Sequence, residues 1–419
     1  SKEAALQERK HALGMASSSS SPMPEHDWSG ASRVKIGGVR IEDEVVGSEE
    51  RYEHVLFAAD AERHVEELKR FELEDVGSAE WVRQHAAVEK LNQQAHASAK
   101  DSSDEFVLEA LLTFEKLDVV VYDLVLTEAW RERVFPKVKE AIVEAKKTTR
   151  AYFVLYHEAT VVNLLEMVCY HGHLVAALKD SAVDLADYLA RRLAALQCKA
   201  DDFREAKAVV RGLSAKDVAA QLAKTSPAED LSRQARDVEF ALSVACVGIA
   251  RYLCQHLADL SVSGASRLLD HHDLLLSVVP LVENPPWTRT RQVVENDDDA
   301  KDKAEAEKDP KKKRKKPKRV WQKFDDGEWK TIPRDELLKV TKLEAQAWLA
   351  AFSLVMHPHV QRRYGFDSFR KQTLLRIRKF LNDALLDQIP VLAELQRFMD
   401  QLALTDCPAP TALADRHGL

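Results

Sequence analysis

With 419 residues, 45% hydrophobic and 31% charged, the chain is long enough to bury a large core without help from metals or disulfides. Only 13 glycines and 14 prolines exclude collagen-like and low-complexity classes, and the absence of any long apolar run excludes a helical membrane span. The net charge of −7 hides an asymmetry: residues 311–319 carry eight positive charges, which leaves −15 on the remainder, so the acidic body argues against binding nucleic acid through the folded part.

Taken in order, residues 1–52 contain the run SSSSSP, mix charges and lack an apolar block, so they are expected to be a disordered extension without a signal peptide. From residue 53 the pattern turns helical, with Val55, Leu56, Ala59, Val65 and Leu68 at helical spacing. Gly77 ends that element and Ser78 is placed to cap the next. A third helix is expected to start at Ser102 or Ser103, and a fourth runs into Pro136, a break or kink. The segment 154–171 is apolar on most sides and reads as a central helix stopped by Gly172, followed by a helix capped by Asp180 or Ser181. Residues 200–226, rich in Lys, Asp and Ala, read as an exposed excursion outside the core. Ser226-Pro227 opens a long helix whose stripe is Leu242, Cys246, Ile249, Leu253 and Leu257, widened by Phe240, Val244 and Val247.

Residues 266–287 look like another helical unit. A charged flexible insertion over 293–319 follows, then a β-hairpin over 320–332. Asp326-Gly327 suits a two-residue turn, which would pair Phe324 with Trp329 and Trp321 with Ile332 and place aromatic contacts on both faces. Leu343, Ala347, Trp348, Ala351 and Leu354 make an amphipathic helix, two or three more helices follow with breaks near Gly365 and Pro390, and residues 405–419 read as a disordered tail. The fold class is therefore all-α, an armadillo/HEAT-like helical solenoid over 53–404 with one short hairpin, although no strict repeat period is legible.

The chemistry-bearing residues are sparse. The densest set of possible metal ligands is His157, Glu158, Cys169, His171 and His173, but position 161 is Val, so H-E-x-x-H is not completed, and the set reads better as the polar tips of a buried helix. His271-His272 and the pair His357, His359 read as turn residues. There is no G-x-S-x-G, P-loop or G-x-G-x-x-G, and the expectation is a protein that is not an enzyme, with no cofactor in this chain. The five cysteines, Cys169, Cys198, Cys246, Cys254 and Cys407, form no C-x-x-C pair and read as reduced core thiols of a cytosolic protein. The basic run 310–319 has the composition of a nuclear-import signal or polyanion contact, yet the acidic run before it would neutralise it as a solvated loop. Trp287, Trp321, Trp329 and Trp348 are candidate partner-binding residues, each equally suited to filling a core.

Four blocks in this order, RFELEDVGSAEWVRQHAAVEKLNQQA, YHEATVVNLLEMVCYH, LLDHHDLLLSVVPLVENPPWTR with WQKFDDGEWKTI, and the stretch from KLEAQAWLAAFSLVMHPHVQRRYGFDSF to ELQRFM, resemble the MYND-type zinc-finger proteins that serve as assembly factors for axonemal dynein arms. The resemblance covers about residues 53–404. It implies an armadillo-like body and a cytoplasmic co-chaperone role in maturing dynein heavy and intermediate chains, alongside heat-shock chaperones and other assembly factors, for motile cilia. It also implies a C-terminal MYND finger of closely spaced Cys and His. After residue 400 only Cys407 and His417 remain, so the chain reads as lacking the finger, and zinc is expected only there. The long insertion departs from the short link usual in the family. The alternative is a nuclear MYND-type corepressor using residues 310–319; cytoplasmic localisation that survives replacement of residues 311–316 would remove its support.

Overall fold

The helices begin where short polar side chains replace missing backbone partners. The computed structural model describes residues 56–204, 226–293, 318–325 and 327–407. Ser78 Oγ accepts from Trp81 N at 3.2 Å to open helix α2 (Ala79–Lys100), after α1 (Ala58–Glu66). Ser226 and Glu229 form a reciprocal capping box at the head of α10 (Pro227–Gln255). Between them lie α3 (Phe106–Thr113), α4 (Leu117–Ala129) continued by a π turn (Trp130–Val134), α5 (Phe135–Glu144), α6 (Thr148–Tyr170), α7 (Gly172–Ala177), α8 (Ser181–Cys198) and α9 (Ala200–Arg204). After α10 come α11 (Val262–Ser266) with a second π turn (Arg267–His271), and α12 (Leu274–Glu283). Strands β1 (Thr288–Val293), β2 (Lys318–Asp325) and β3 (Glu328–Ile332) follow. The chain then continues through α13 (Lys342–Met356), α14 (Pro358–Arg363), α15 (Ser368–Leu375), α16 (Asp383–Gln388) and α17 (Leu392–Leu404).

The core is built around α6 and α10, which pack on each other. Helix α6 also meets α2 and α4, and α10 meets α8 and α13, so the larger apolar core runs from Leu56 to Leu402, and a smaller one gathers Trp81, Trp130, Phe135 and Leu155. The stripe Leu242, Cys246, Ile249 and Leu253 is fully enclosed, as is almost the whole of α6 from Val154 to Cys169. A helix covered on several sides must be apolar all round, which is why its sequence shows no clean amphipathic pattern.

Several helix ends are closed without glycine. Ser102, Glu115, Lys146, Lys179 and Asp273 all take positive φ, between 47° and 54°, directly after a helical stretch. Ser103 N closes on Ser98 O at 2.9 Å, Lys116 N on Leu111 O at 3.0 Å and Lys147 N on Ile142 O at 2.9 Å, the wide closing bond of a left-handed helix stop. The third helix therefore starts at Phe106, and Ser102 and Ser103 terminate α2 instead of opening α3. A side chain in this conformation is strained where glycine is not. Glu115→Gly is expected to raise stability by about 0.5–1 kcal/mol, read as a higher denaturation midpoint.

Other expectations need correction. Neither Asp180 nor Ser181 caps α8 through its side chain; Ser181 Oγ donates back to Leu178 O at 2.6 Å. Gly172 does stand at the break after α6, but for space: a Cβ there would lie 2.7 Å from Asp259 Oδ2. The segment after residue 200 is not all outside the core, because α9 buries Phe203 against Phe240 at 5.0 Å. Cys198 is exposed, unlike the enclosed thiols of Cys169, Cys246 and Cys254. The hairpin makes two strands of a three-stranded antiparallel sheet, because Thr288–Val293 adds a strand beside β2. The ordered chain continues past 404: Lys371 Nζ donates to Ala403 O at 3.0 Å and Thr405 O at 2.5 Å, and Cys407 packs on the core. The extension 1–52, the excursion over 205–225, the insertion over 294–317 with most of its basic run, Asp326 of the turn and the tail from 408 lie outside the described residues.

Candidate functional site

The three-stranded sheet is held to the helical body by an aromatic stack. Register follows the predicted turn: Phe324 faces Trp329 and Trp321 faces Ile332, and the Asp325–Glu328 pair leaves two residues for the turn, with Gly327 at φ +82°. Phe324 and Trp329 meet edge to face at 5.5 Å. Both reach Phe240 of α10, at 4.9 and 5.7 Å. Arg289 of β1 lies over the other side of this cluster, 4.0 Å from the Trp329 ring centre. Lys323 is buried, and its Nζ donates to Lys339 O at 2.8 Å and to Glu344 Oε2 at 2.9 Å. The same Glu344 carboxylate completes the capping box of Thr341 at the start of α13, so one ion fixes the sheet to a helix end.

The four predicted tryptophans do not form one surface. Trp287 is 1% exposed at the base of the sheet, where its carbonyl accepts from Phe324 N at 2.8 Å. Trp348 is 7% exposed within α13. Trp329 is half-buried, and Trp321 is 38% exposed on the opposite side of the strand from Phe324. Beside Trp321 the edge strand β3 presents Glu328, Lys330 and Thr331 to solvent. An exposed indole next to a charged edge is suited to a side-chain contact with a partner more than to strand addition, because edge charges oppose new pairing. Trp329→Ala is expected to cost about 2–3 kcal/mol of stability, whereas Trp321→Ala changes it by less than about 0.5 kcal/mol, in denaturant titrations of the two variants.

Sequence reasoning missed a buried polar tier that joins four helices. Arg131, in the π turn, donates from Nε to Glu158 Oε2 at 2.6 Å and from Nη2 to Oε1 at 3.1 Å. Tyr188 OH of α8 donates to the same Glu158 Oε1 at 2.9 Å. Arg192 of α8 donates to Glu128 at 2.8 Å and to Glu132, and lies 3.5 Å from Glu239 of α10. Lys199 Nζ adds 2.7 Å to Glu239, and Arg191 clasps Glu128 with its Nε at 3.0 Å. The tier thus ties α4, α6, α8 and α10 together at fixed positions. Burial, then the charge of Glu158, pushes the Tyr188 phenol well above its ordinary pKa, so it remains a donor. The available signal was Glu158 and Glu166 standing inside an otherwise apolar helix, since a buried carboxylate needs a partner.

The predicted ligand cluster is divided among other tasks. His157 Nε2 is 2.8 Å from Asp123 Oδ2 and its Nδ1 is 2.9 Å from His85 Nδ1, beneath Trp81. Burial, then the neighbouring His157, lowers the pKa of His85 to about 4. Glu158 belongs to the arginine tier, Cys169 is a buried thiol pushed upward by burial, and His171 Nε2 lies 3.0 Å from Glu105. His272 is 2.6 Å from Asp187, and His357 accepts from His359 N at 3.2 Å. Among the described residues no group of three or more His, Cys, Asp or Glu is arranged to hold a metal ion. No described helix is long and apolar enough to cross a membrane.

No known protein-family profile matches the chain, and no solved structure matches it. The zinc finger MYND domain-containing protein 10 homolog of Drosophila melanogaster is 28% identical over 351 residues, which span 83% of this chain and 68% of that protein. The described residues do not offer the donor set that a zinc finger requires. The chain is thus similar, along most of its length, to a MYND-type zinc-finger protein.

Proposed function

We propose that this chain is a non-enzymatic co-chaperone or adaptor for the cytoplasmic preassembly of axonemal dynein arms. The observation that carries the reading is the extended similarity to a MYND-type protein over 351 residues, through the blocks that resemble the dynein-assembly branch of that group. The helices, gathered about α6 and α10, are read as an armadillo-like solenoid. Such stacks offer long surfaces on which clients are held and released. In this reading dynein heavy and intermediate chains are the clients, heat-shock chaperones and other assembly factors are the partners, and of the four candidate tryptophans Trp321, the most exposed, is the one to meet one of them.

The test is genetic and biochemical. Cells lacking the protein are expected to build cilia without dynein arms and to lose cytosolic dynein heavy chain. Cells rescued with Trp321→Ala are expected to accumulate normal levels of the variant yet recover less heavy chain. Intact dynein arms in the null cells would end the proposal, and full rescue by Trp321→Ala would remove that residue from it.

A further inference from the structure

Between the end of α2, the start of α3 and the facing sides of α6 and α10 lies a pocket of about 190 Å³. That is below the roughly 300–1,000 Å³ of pockets that enclose drug-sized ligands, so it admits a group of side-chain size. Its lining includes Ser98, Ser102, Glu105, Glu166, Tyr170 and Tyr252. Ser102 and Tyr170 are exposed, so the pocket opens to solvent on their side.

Glu166 is the unusual member. It is 4% exposed, and its Oε2 has no hydrogen-bond partner among the described residues. The other buried carboxylates among the described residues have a basic side chain beside them: Glu128, Glu158, Glu239, Asp273 and Asp367 an arginine, and Asp123 the ring of His157. The helix opposite makes room for it: a Cβ on Gly248 would lie 2.5 Å from Glu166 Oε1. A glycine inside a long helix costs roughly 1 kcal/mol against alanine, a cost that this carboxyl group explains. Burial raises the Glu166 pKa to about 8, so at neutral pH it is held protonated unless a cation arrives.

We infer that this pocket receives an alkylammonium group, with Glu166 as its counter-ion at the floor, Glu105 nearer the entrance and Tyr170 as an aromatic wall. The chemistry selects a cation with a short apolar stem. A carboxylate without a partner lacks a donor, an aromatic ring favours a cation over its face, and a second carboxylate draws positive charge to the opening. Tyr252, which Tyr170 meets edge-on at 5.4 Å, already has Arg251 over its ring at 4.7 Å and so serves as packing. The titratable groups around Glu166 are Tyr252 and Cys246 from α10, Glu105 from the head of α3, and Cys169 and Tyr170 from its own helix. Two sources share the ligand chemistry: a lysine side chain of a protein partner, or a small free amine. The inference stands apart from the dynein reading, since it rests only on the pocket.

Binding displaces the proton of Glu166 as the ammonium group takes its place, so affinity carries a pH signature. Titration of the full chain with Nα-acetyl-lysine N-methylamide, followed by calorimetry or NMR, is expected to show affinity rising by close to tenfold per pH unit between pH 6 and 8 and levelling above. Glu166→Gln, with its fold checked by circular dichroism, is expected to lose binding at least tenfold and to lose the pH slope. The norleucine analogue, which lacks the ammonium group, is expected not to bind. n-Butylammonium distinguishes the sources: equal affinity points to a free amine, and weaker affinity to a lysine within a chain. Absence of binding by both ammonium probes, equal binding of the norleucine analogue, or unchanged binding by Glu166→Gln would each overturn the inference.

Discussion

Replacing Arg131 with methionine is expected to lower the stability of the helical body by about 3–5 kcal/mol, the cost of leaving a buried carboxylate without its cation. Glu158 is fully enclosed, and two of its hydrogen bonds come from Arg131. Tyr188 supplies one more, and a neutral phenol does not compensate a full charge in a dry interior. The double variant Arg131→Met with Glu158→Leu is expected to recover more than half of the loss, because removing both ions also removes the desolvation penalty. Denaturant titration checks both variants. A single variant that costs less than about 1 kcal/mol would show that the tier does not operate as a charge pair. Arg131 sits in the π turn (Trp130–Val134). The wider turn follows α4 and is where the chain turns Arg131 toward α6, while Glu132 remains within reach of Arg192.

The second large effect is on the response to pH. The carboxyl of Glu166 has its folded-state pKa raised from 4.5 to about 8 by burial. Between these values the unfolded chain releases this proton while the folded chain keeps it, so the group removes stability as pH rises through the window. The loss is complete above about pH 8 and is on the order of 4–5 kcal/mol at most. His85 acts in the opposite direction. Its folded pKa lies near 4 instead of 6.5, so the unfolded state binds the extra proton between these values and stability falls as pH drops, by about 3 kcal/mol when complete. The two windows overlap between about pH 4.5 and 6.5, where their slopes offset each other. Above pH 6.5 only the loss from Glu166 is left, and below pH 4.5 only that from His85. Glu166→Gln is expected to flatten the limb above pH 6.5 and, by removing the offset, to expose the fall in stability that His85 causes between pH 6.5 and 5, as measured by urea denaturation at pH 5, 6.5 and 8.5. An unchanged alkaline limb in that variant would assign the loss to another group.

Much of the architecture was legible in the chain. Apolar spacing alone placed α10 and its stripe, because Leu242, Cys246, Ile249 and Leu253 recur at the helical period and all are enclosed. Ser78, Ser226 and the two-residue turn before Glu328 were readable for the same reason: capping and turn chemistry acts over three or four residues, so its signal is local. Strand β1 was not readable. Thr288–Val293 alternates no apolar residues, and its partner in sequence lies beyond the charged insertion, so only pairing with β2 makes it a strand.

The polar interior was legible as composition but not as arrangement. Residues 148–170 show carboxylates inside an apolar helix, yet nothing local says that Glu158 meets Arg131 and Tyr188 while Glu166 Oε2 meets no donor among the described residues. The four tryptophans show the same division. Each is equally apolar in the chain, and their fates, from Trp287 enclosed to Trp321 at the surface, follow from which strand face or helix side is covered. An acidic, glycine-poor, mostly helical body and the positions of its main helices follow from local patterns in the chain, because periodicity and capping are short-range properties. Which buried charges are paired, where the pocket beside Glu166 opens and which indole remains outside are settled in the folded molecule, because they depend on contacts between residues tens of positions apart.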